Sequence, residues 1–247
     1  MTPAFLDLPD GRRIAYHRCA GRRPGVVFLG GFRSDMTGTK AGFLEAWAKA
    51  RGQAFLRFDY TGHGASSGDF RDGTIGGWAA DAADAVGRLT EGPQLLVGSS
   101  MGGWIALLLA LRMPGRIAGL VGIAAAPDFT EDSIWAAMDA ATRARLASDG
   151  LVEVPSEYDD APYPITRRLI EEGRGNLMLR APLSLPFPVR LLHGSADRDV
   201  DLSVALRLLA HAEALDMRLT IVKGADHRFS EPENLALLVE TVEDLLG

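Results

Sequence analysis

A short apolar run, Leu95-Leu96-Val97, leads into Gly98-Ser99-Ser100-Met101-Gly102 and then into the apolar stretch Gly103 to Ala110. No other feature of the chain restricts its fold as tightly. A strand, Gly-x-Ser-x-Gly and a helix in succession predict a sharp turn that strains the backbone at the central serine, with glycines where a Cβ would clash between the two elements. Ser100 is thus the candidate nucleophile, and the N-terminal amides of the following helix favour negative charge at its oxygen. The pattern recurs at Gly64-Ala65-Ser66-Ser67-Gly68, but Asp59 to His63 before it and Asp69 to Gly73 after it are turn chemistry. That copy reads as a loop.

Around the Ser100 segment the chain alternates. Phe5 to Leu8 and Arg13 to Cys19, separated by Pro9-Asp10-Gly11-Arg12, predict an antiparallel hairpin. Val26 to Leu29 is wholly apolar, as a central parallel strand buried on both faces should be. Strands are expected at Ala54 to Phe58, Leu95 to Val97, Ile117 to Ile123, Val189 to Leu192 and Arg218 to Val222. Helices are expected near Lys40 to Arg51, Thr74 to Thr90, Gly103 to Met113, Val200 to Ala214 and Glu233 to Leu246. This order predicts an α/β fold, a mostly parallel sheet with helices on both faces. Residues 128–188 break the rhythm with two helical stretches, Glu131 to Ala147 and Thr166 to Leu179, and a proline-rich stretch from Val154 to Pro164 that is expected to be irregular. The expected organisation is therefore a core of residues 1–127 and 189–247 with 128–188 inserted as a small helical cap over the carboxyl ends of the strands, where open α/β sheets bind ligands.

Composition narrows the partners. The 247 residues are 47% hydrophobic, ample for one large core, and 26 basic against 32 acidic residues leave a net charge of -6. That balance gives no electrostatic footprint for nucleic acid or an anionic membrane. With Cys19 the only cysteine, an internal disulfide and a thiolate metal cluster are excluded. Met1 to Leu8 lacks the charged start and apolar core of a signal peptide, and no apolar run reaches membrane-spanning length, so the expected location is cytoplasmic.

A serine hydroxyl needs a base within hydrogen-bond reach, and the base needs an orienting acid. Among the five histidines, His17, His63, His193, His211 and His227, only His227 lies in the loop beyond the last strand and late in the chain, as the order Ser, Asp, His requires. The acid should follow the preceding strand, in His193-Gly194-Ser195-Ala196-Asp197-Arg198-Asp199. Asp197 falls in the loop proper, whereas Asp199 is placed to cap the next helix; Asp128, after the Ile117 to Ile123 strand, is the alternative. Backbone donors for an oxyanion are expected from Met101 and, after the Val26 to Leu29 strand, from Phe32. Such chemistry uses no metal or organic cofactor. Ile134, Trp135, Met138, Leu177 and Met178 are candidates to line an acyl pocket.

With these elements in place the chain resembles an α/β-hydrolase from end to end. Within that family it is similar to the mitochondrial acyl-protein thioesterases with acyl-glucuronide esterase activity and their bacterial relatives. The resemblance is carried by Gly31 to Ala41, Arg57 to Gly62, Gly92 to Trp104, Arg190 to Gly194 and Asp226 to Arg228, with Pro155 to Tyr158 and Leu169 to Gly173 in the insertion. It implies Ser100, Asp197 and His227 as a catalytic triad, Phe32 and Met101 as oxyanion donors, and hydrolysis of acyl esters or thioesters. Residues Phe129 to Ala147 depart from that likeness. A non-catalytic ligand-binding protein on the same fold, and a peptidase or perhydrolase on the same triad, are the alternative readings.

Overall fold

The computed structural model describes residues 2–154 and 162–247. Strand β1 (Ala4–Asp7) turns back into β2 (Arg13–Cys19), the expected antiparallel hairpin, with Leu6 opposite Ile14. The chain then runs through β3 (Arg22–Leu29), α1 (Thr39–Arg51), β4 (Gln53–Phe58), α2 (Ile75–Leu89), β5 (Gln94–Ser99), α3 (Met101–Arg112) and β6 (Ile117–Ile123). An excursion follows, made of α4 (Ala140–Asp149), β7 (Leu151–Val154), β8 (Tyr163–Thr166), α5 (Arg167–Gly173) and the two-residue β9 (Leu183–Ser184). The chain returns as β10 (Val189–Gly194), α6 (Leu202–His211), β11 (Ala212–Glu213), β12 (Met217–Val222) and α7 (Pro232–Leu246).

Eight strands form one sheet in the order β1-β2-β4-β3-β5-β6-β10-β12, parallel from β4 to β12. Alternation along the central strands divides the core. Val26 and Phe28 of β3 pack with Ala41 and Leu44 of α1 and Leu238 and Val242 of α7, whereas Val27 and Leu29 belong to the cluster built by α2 and α3. An α/β-hydrolase fold with helices on both faces is therefore present. From β3 the chain crosses to β4 on one side, while β5 lies on the other, so the strand order reverses at β3 and opens a crevice at the carboxyl ends of β3 and β5.

The excursion is more regular than its sequence suggests. β7 and β8 pair antiparallel, with Leu151 opposite Thr166 and Val154 opposite Tyr163. Thus Val154, Tyr163 and Pro164, expected to be irregular, lie in strands; Pro155 to Ala161, including the Pro155 to Tyr158 likeness, falls outside the described residues. Pro164 is tolerated because a two-stranded ribbon leaves one edge of each strand unpaired. The expected helix from Glu131 to Ala147 is split into a wide helical turn at Thr130–Trp135 and α4, where Asp139 accepts from the Thr142 amide at 2.7 Å and starts a new helix. Asp128 ties the two ends of the excursion together. Fully buried, it accepts from the amides of Met178 at 2.7 Å and Leu179 at 3.0 Å and pairs with Arg180.

Close packing of α3 on the sheet depends on missing side chains. A Cβ on Gly102 would overlap the carbonyl oxygens of Leu29 and Gly30, and one on Gly98 would overlap that of Gly102. Gly87 on α2, by contrast, has open space around it. Gly102→Ala is therefore expected to destabilise the protein by about 3 kcal/mol through overpacking. Gly87→Ala should stabilise it by up to about 1 kcal/mol through helix propensity. Urea unfolding midpoints of the two variants test the contrast; similar midpoints would mean that α3 is free to move off the sheet.

Candidate active site

Ser100 sits between β5 and α3 with φ 54° and ψ −118°, a left-handed backbone rarely adopted by a non-glycine residue. Neighbouring backbone groups hold it there. Its amide donates to the Ile123 carbonyl at 2.9 Å, and its carbonyl accepts from Gly103 at 2.9 Å and Ala126 at 3.1 Å. The second Gly-x-Ser-x-Gly copy is a loop, as expected, and its serines serve the main chain. Ser66 Oγ accepts from the Ala15 amide and donates to the Asp59 carbonyl, and Ser67 Oγ accepts from the Arg13 amide.

Two loops converge on Ser100 from the sheet edge beyond β6. His227 lies 3.1 Å from Ser100 Oγ through Nε2 and 2.8 Å from Asp197 Oδ2 through Nδ1. The Asp197 side chain is fully buried, and its other oxygen accepts from the amides of Asp199 and Val200, both at 2.9 Å. Burial opposes the charge on Asp197, but the hydrogen bonds from His227 and the Val200 amide outweigh it and hold the carboxyl below its ordinary value. The cap of α6 is Asp201, which accepts from Ser203 at 2.8 Å, and not Asp199. Asp128 is committed to Met178, Leu179 and Arg180.

The turn after β3 closes the site from the other side. A Cβ on Gly31 would stand 3.5 Å from Ser100 Cβ, so the turn's main chain passes directly over the serine. Among the described residues the amides of Phe32 and Met101 have no hydrogen-bond acceptor. Phe32 packs edge-on against Phe70, Trp78, Phe129 and Tyr163 at centroid distances from 4.9 to 5.9 Å, which fixes its side chain between the core and the excursion. A cavity of about 350 Å³ opens beside Ser100 and His227, with Phe129, Ile134, Val154, Tyr163 and Ile165 of the excursion in its wall. Of the five residues expected to line an acyl pocket, Ile134 alone lines this cavity. Met138 and Met178 are buried in the core, and Trp135 and Leu177 pack against it.

Lys40, in the Gly31 to Ala41 motif, was given no role by the sequence. It lines the same cavity and donates to the carbonyl of Arg228, next to His227; burial pushes its ammonium down to about 8. His193 was also passed over as a supporting residue. Its ring is fully buried, with Nε2 3.0 Å from the Val200 carbonyl and 3.6 Å from Asp197 Oδ2, so it packs behind the aspartate. Its spacing of four residues from Asp197 was the available signal. Asp197, Asp199 and His227 bring ligand atoms within 4.8 Å of one another, close enough to hold a cation. Holding one there would cost the hydrogen bonds that Asp197 already makes to His227 and two amides.

A strained serine at a strand-to-helix turn, a histidine and a buried aspartate in line, and an α/β sheet behind them define a protein class, and comparison with known proteins agrees. Residues 26–239 match the model of the alpha/beta hydrolase family, to which this chain belongs. Over 244 residues it is 36% identical to the mitochondrial palmitoyl-protein thioesterase ABHD10 of Bos taurus and 34% identical to that of Homo sapiens, covering 98% of this chain and 79% of each relative. It is also similar to a solved putative hydrolase from Agrobacterium vitis S4, with TM-score 0.94, 40% identity, and 99% and 98% of the two chains covered. The solved mouse alpha/beta hydrolase domain-containing protein 10 matches with TM-score 0.92, 34% identity and the same coverage. Kinship with thioesterases and esterases supports a hydrolase acting on acyl substrates.

The palmitoyl-protein thioesterase relatives are named as mitochondrial proteins, which overturns the expectation of a cytoplasmic location. That expectation rested on the missing signal-peptide features of Met1 to Leu8 and on the lack of a membrane-length apolar run. Compartment is set by receptor-read addresses rather than by the physics of the fold, so neither observation carried that information. No helix among the described residues is long and apolar enough to cross a membrane.

Proposed function

We propose that the protein is a serine hydrolase that cleaves carboxylic esters or thioesters of acyl substrates through an acyl-enzyme. The observation that carries this reading is the unbroken line from Ser100 Oγ to His227 Nε2 at 3.1 Å and from His227 Nδ1 to Asp197 at 2.8 Å. Ser100 Oγ attacks the carbonyl carbon as His227 Nε2 takes its proton, and Asp197 holds the Nδ1 proton and stabilises the imidazolium. Negative charge then forms on the carbonyl oxygen, which the amides of Phe32 and Met101 receive. Collapse of the adduct expels the alcohol or thiol, protonated by His227, and leaves Ser100 acylated. A water, deprotonated by the same imidazole, attacks the acyl carbon and releases the carboxylic acid with Ser100 restored. The excursion serves as the cap, its apolar wall of Phe129, Ile134, Val154 and Tyr163 receiving the acyl chain. Lineage supports the substrate class, since the relatives are named palmitoyl-protein thioesterases.

A fluorophosphonate probe should label wild-type protein at Ser100, and turnover should follow p-nitrophenyl esters and acyl thioesters but not peptide anilides. Folded protein that takes no label would overturn the reading. Preference for anilides would make the protein a peptidase, and labelling without turnover would make it a receptor.

A further inference from the structure

The second glycine-rich loop contains a histidine that the mechanism above does not use. His63 is 4% exposed, and the rings of Tyr60, Phe70 and Trp78 meet it edge-on at 5.1 to 5.6 Å. Its Nδ1 stands 3.2 Å from the Thr61 carbonyl, which can only accept, so the proton is on Nδ1. Nε2 is then a lone pair, and the Arg33 amide donates to it at 3.3 Å. A buried ring with both nitrogens engaged in this sense is committed to one tautomer.

Arg33 is the third residue of the turn that carries Phe32. The Ser34 amide donates to the Gly31 carbonyl at 3.2 Å, closing the four-residue turn Gly31-Phe32-Arg33-Ser34, and Ser34 Oγ donates to the same carbonyl at 2.9 Å. That carbonyl shares its peptide plane with the Phe32 amide, so fixing one end aims the other in the opposite direction. Arg33 has φ 56° while Phe32 does not have a positive φ, the backbone of a type II turn, which ordinarily asks for glycine at the third position. With Gly30 and Gly31 before it, the turn has little intrinsic stiffness. An acceptor for the Arg33 amide supplies what the sequence of the turn does not.

We propose that His63 is a positioning residue, whose neutral imidazole pins the Arg33 amide, holds the Gly31–Ser34 turn in its type II form and thereby aims the Phe32 amide at the oxyanion. This assignment rests on the serine hydrolase reading. Burial pushes the ring down to about 4 against the opposing pull of the Thr61 carbonyl, and the nearby Arg33 charge adds to the drop. The acceptor lone pair therefore persists throughout the range in which His227 must act as a base.

Three measurements on the full-length protein test this. Nitrogen-15 NMR of wild-type protein should show His63 as the neutral Nδ1-protonated tautomer from pH 8 to pH 5; an Nε2-protonated ring, or one that titrates near pH 6.5, would overturn the assignment. His63→Phe, which keeps a ring in the aromatic cluster, should lower kcat for a p-nitrophenyl ester about tenfold with KM within twofold, and should weaken a trifluoromethyl ketone inhibitor by the same factor. His63→Gln, whose amide oxygen falls near the place of Nε2, should recover most of that loss. An unchanged kcat in His63→Phe, or an equal loss in both variants with the fold intact by circular dichroism, sinks the positioning role while leaving the hydrolase reading standing. Wild-type protein without ester turnover sinks both.

Discussion

Ser100→Ala is expected to lower kcat for ester hydrolysis by roughly 10⁶-fold while leaving the fold intact. The size follows from the way the parts act together. Without the hydroxyl no acyl-enzyme forms, and His227 has no proton to accept; what survives is the contribution of substrate binding and oxyanion donors to direct attack by water. Alanine at this position removes one oxygen whose partner among the described residues is His227 Nε2, so no buried group among them is left unpaired elsewhere. The backbone at φ 54° is already held by bonds to Ile123, Gly103 and Ala126, which the substitution does not touch. Thermal midpoints of variant and wild type should therefore agree within a few degrees. Retention of a tenth or more of the wild-type rate would exclude Ser100 as nucleophile.

The second large effect is expected at Asp197, and its direction depends on which oxygen is replaced. Oδ1 accepts from the amides of Asp199 and Val200, and Oδ2 meets His227 Nδ1. In Asp197→Asn the side-chain oxygen must stay with the two backbone donors, which turns the amide NH2 toward His227. Nδ1 is then forced to accept, the ring proton moves to Nε2, and the imidazole loses the lone pair that takes the Ser100 proton. A fall of about 10⁴-fold in kcat with little change in KM is expected. Asp128→Asn is the matched control. It weakens the bonds to Met178, Leu179 and Arg180, so it should lower stability more than activity. A reversal, with Asp128→Asn the inactive variant, would transfer the acid's role to Asp128.

The pH dependence of stability carries the same signature. Because the Asp197 carboxyl is held below its unfolded value, its contribution is fully present above the ordinary carboxylate range and fades as pH falls through the lowered value. Acid titrations of wild type and Asp197→Asn should converge at low pH. Parallel curves would mean that Asp197 is as readily protonated in the native protein as in the unfolded chain.

All eight strands of the main sheet were legible in the sequence, the central ones for a physical reason. A strand buried on both faces must be apolar throughout, and runs such as Val26 to Leu29 and Leu95 to Val97 have no other place to go. The positions of Ser100 and His227 followed from the same logic, because only loops at the carboxyl ends of parallel strands can meet. The aspartate beside His227 is the one expected, but part of the argument for it does not hold, since the helix is capped by Asp201 rather than Asp199. The excursion was harder to read. Its prolines between Val154 and Pro164 argued for irregular chain, and a ribbon of four-residue strands is too short for alternation to overrule them. The role of Asp128 as a tie between distant residues could not be read at all. Nothing local reports that a carboxylate will be met by amides fifty residues later.

The tie at Asp128 has a consequence for how such proteins diversify. Because Asp128, just after the chain leaves the sheet, grips the amides of Met178 and Leu179 before it returns, the segment between is a closed loop with a fixed root. Lengthening or trimming such a loop alters its closure entropy only logarithmically. A foreign segment spliced between the two anchored ends would redraw what enters the cleft and leave the reacting groups undisturbed. Selectivity can thus drift in this lineage while the chemistry stays constant.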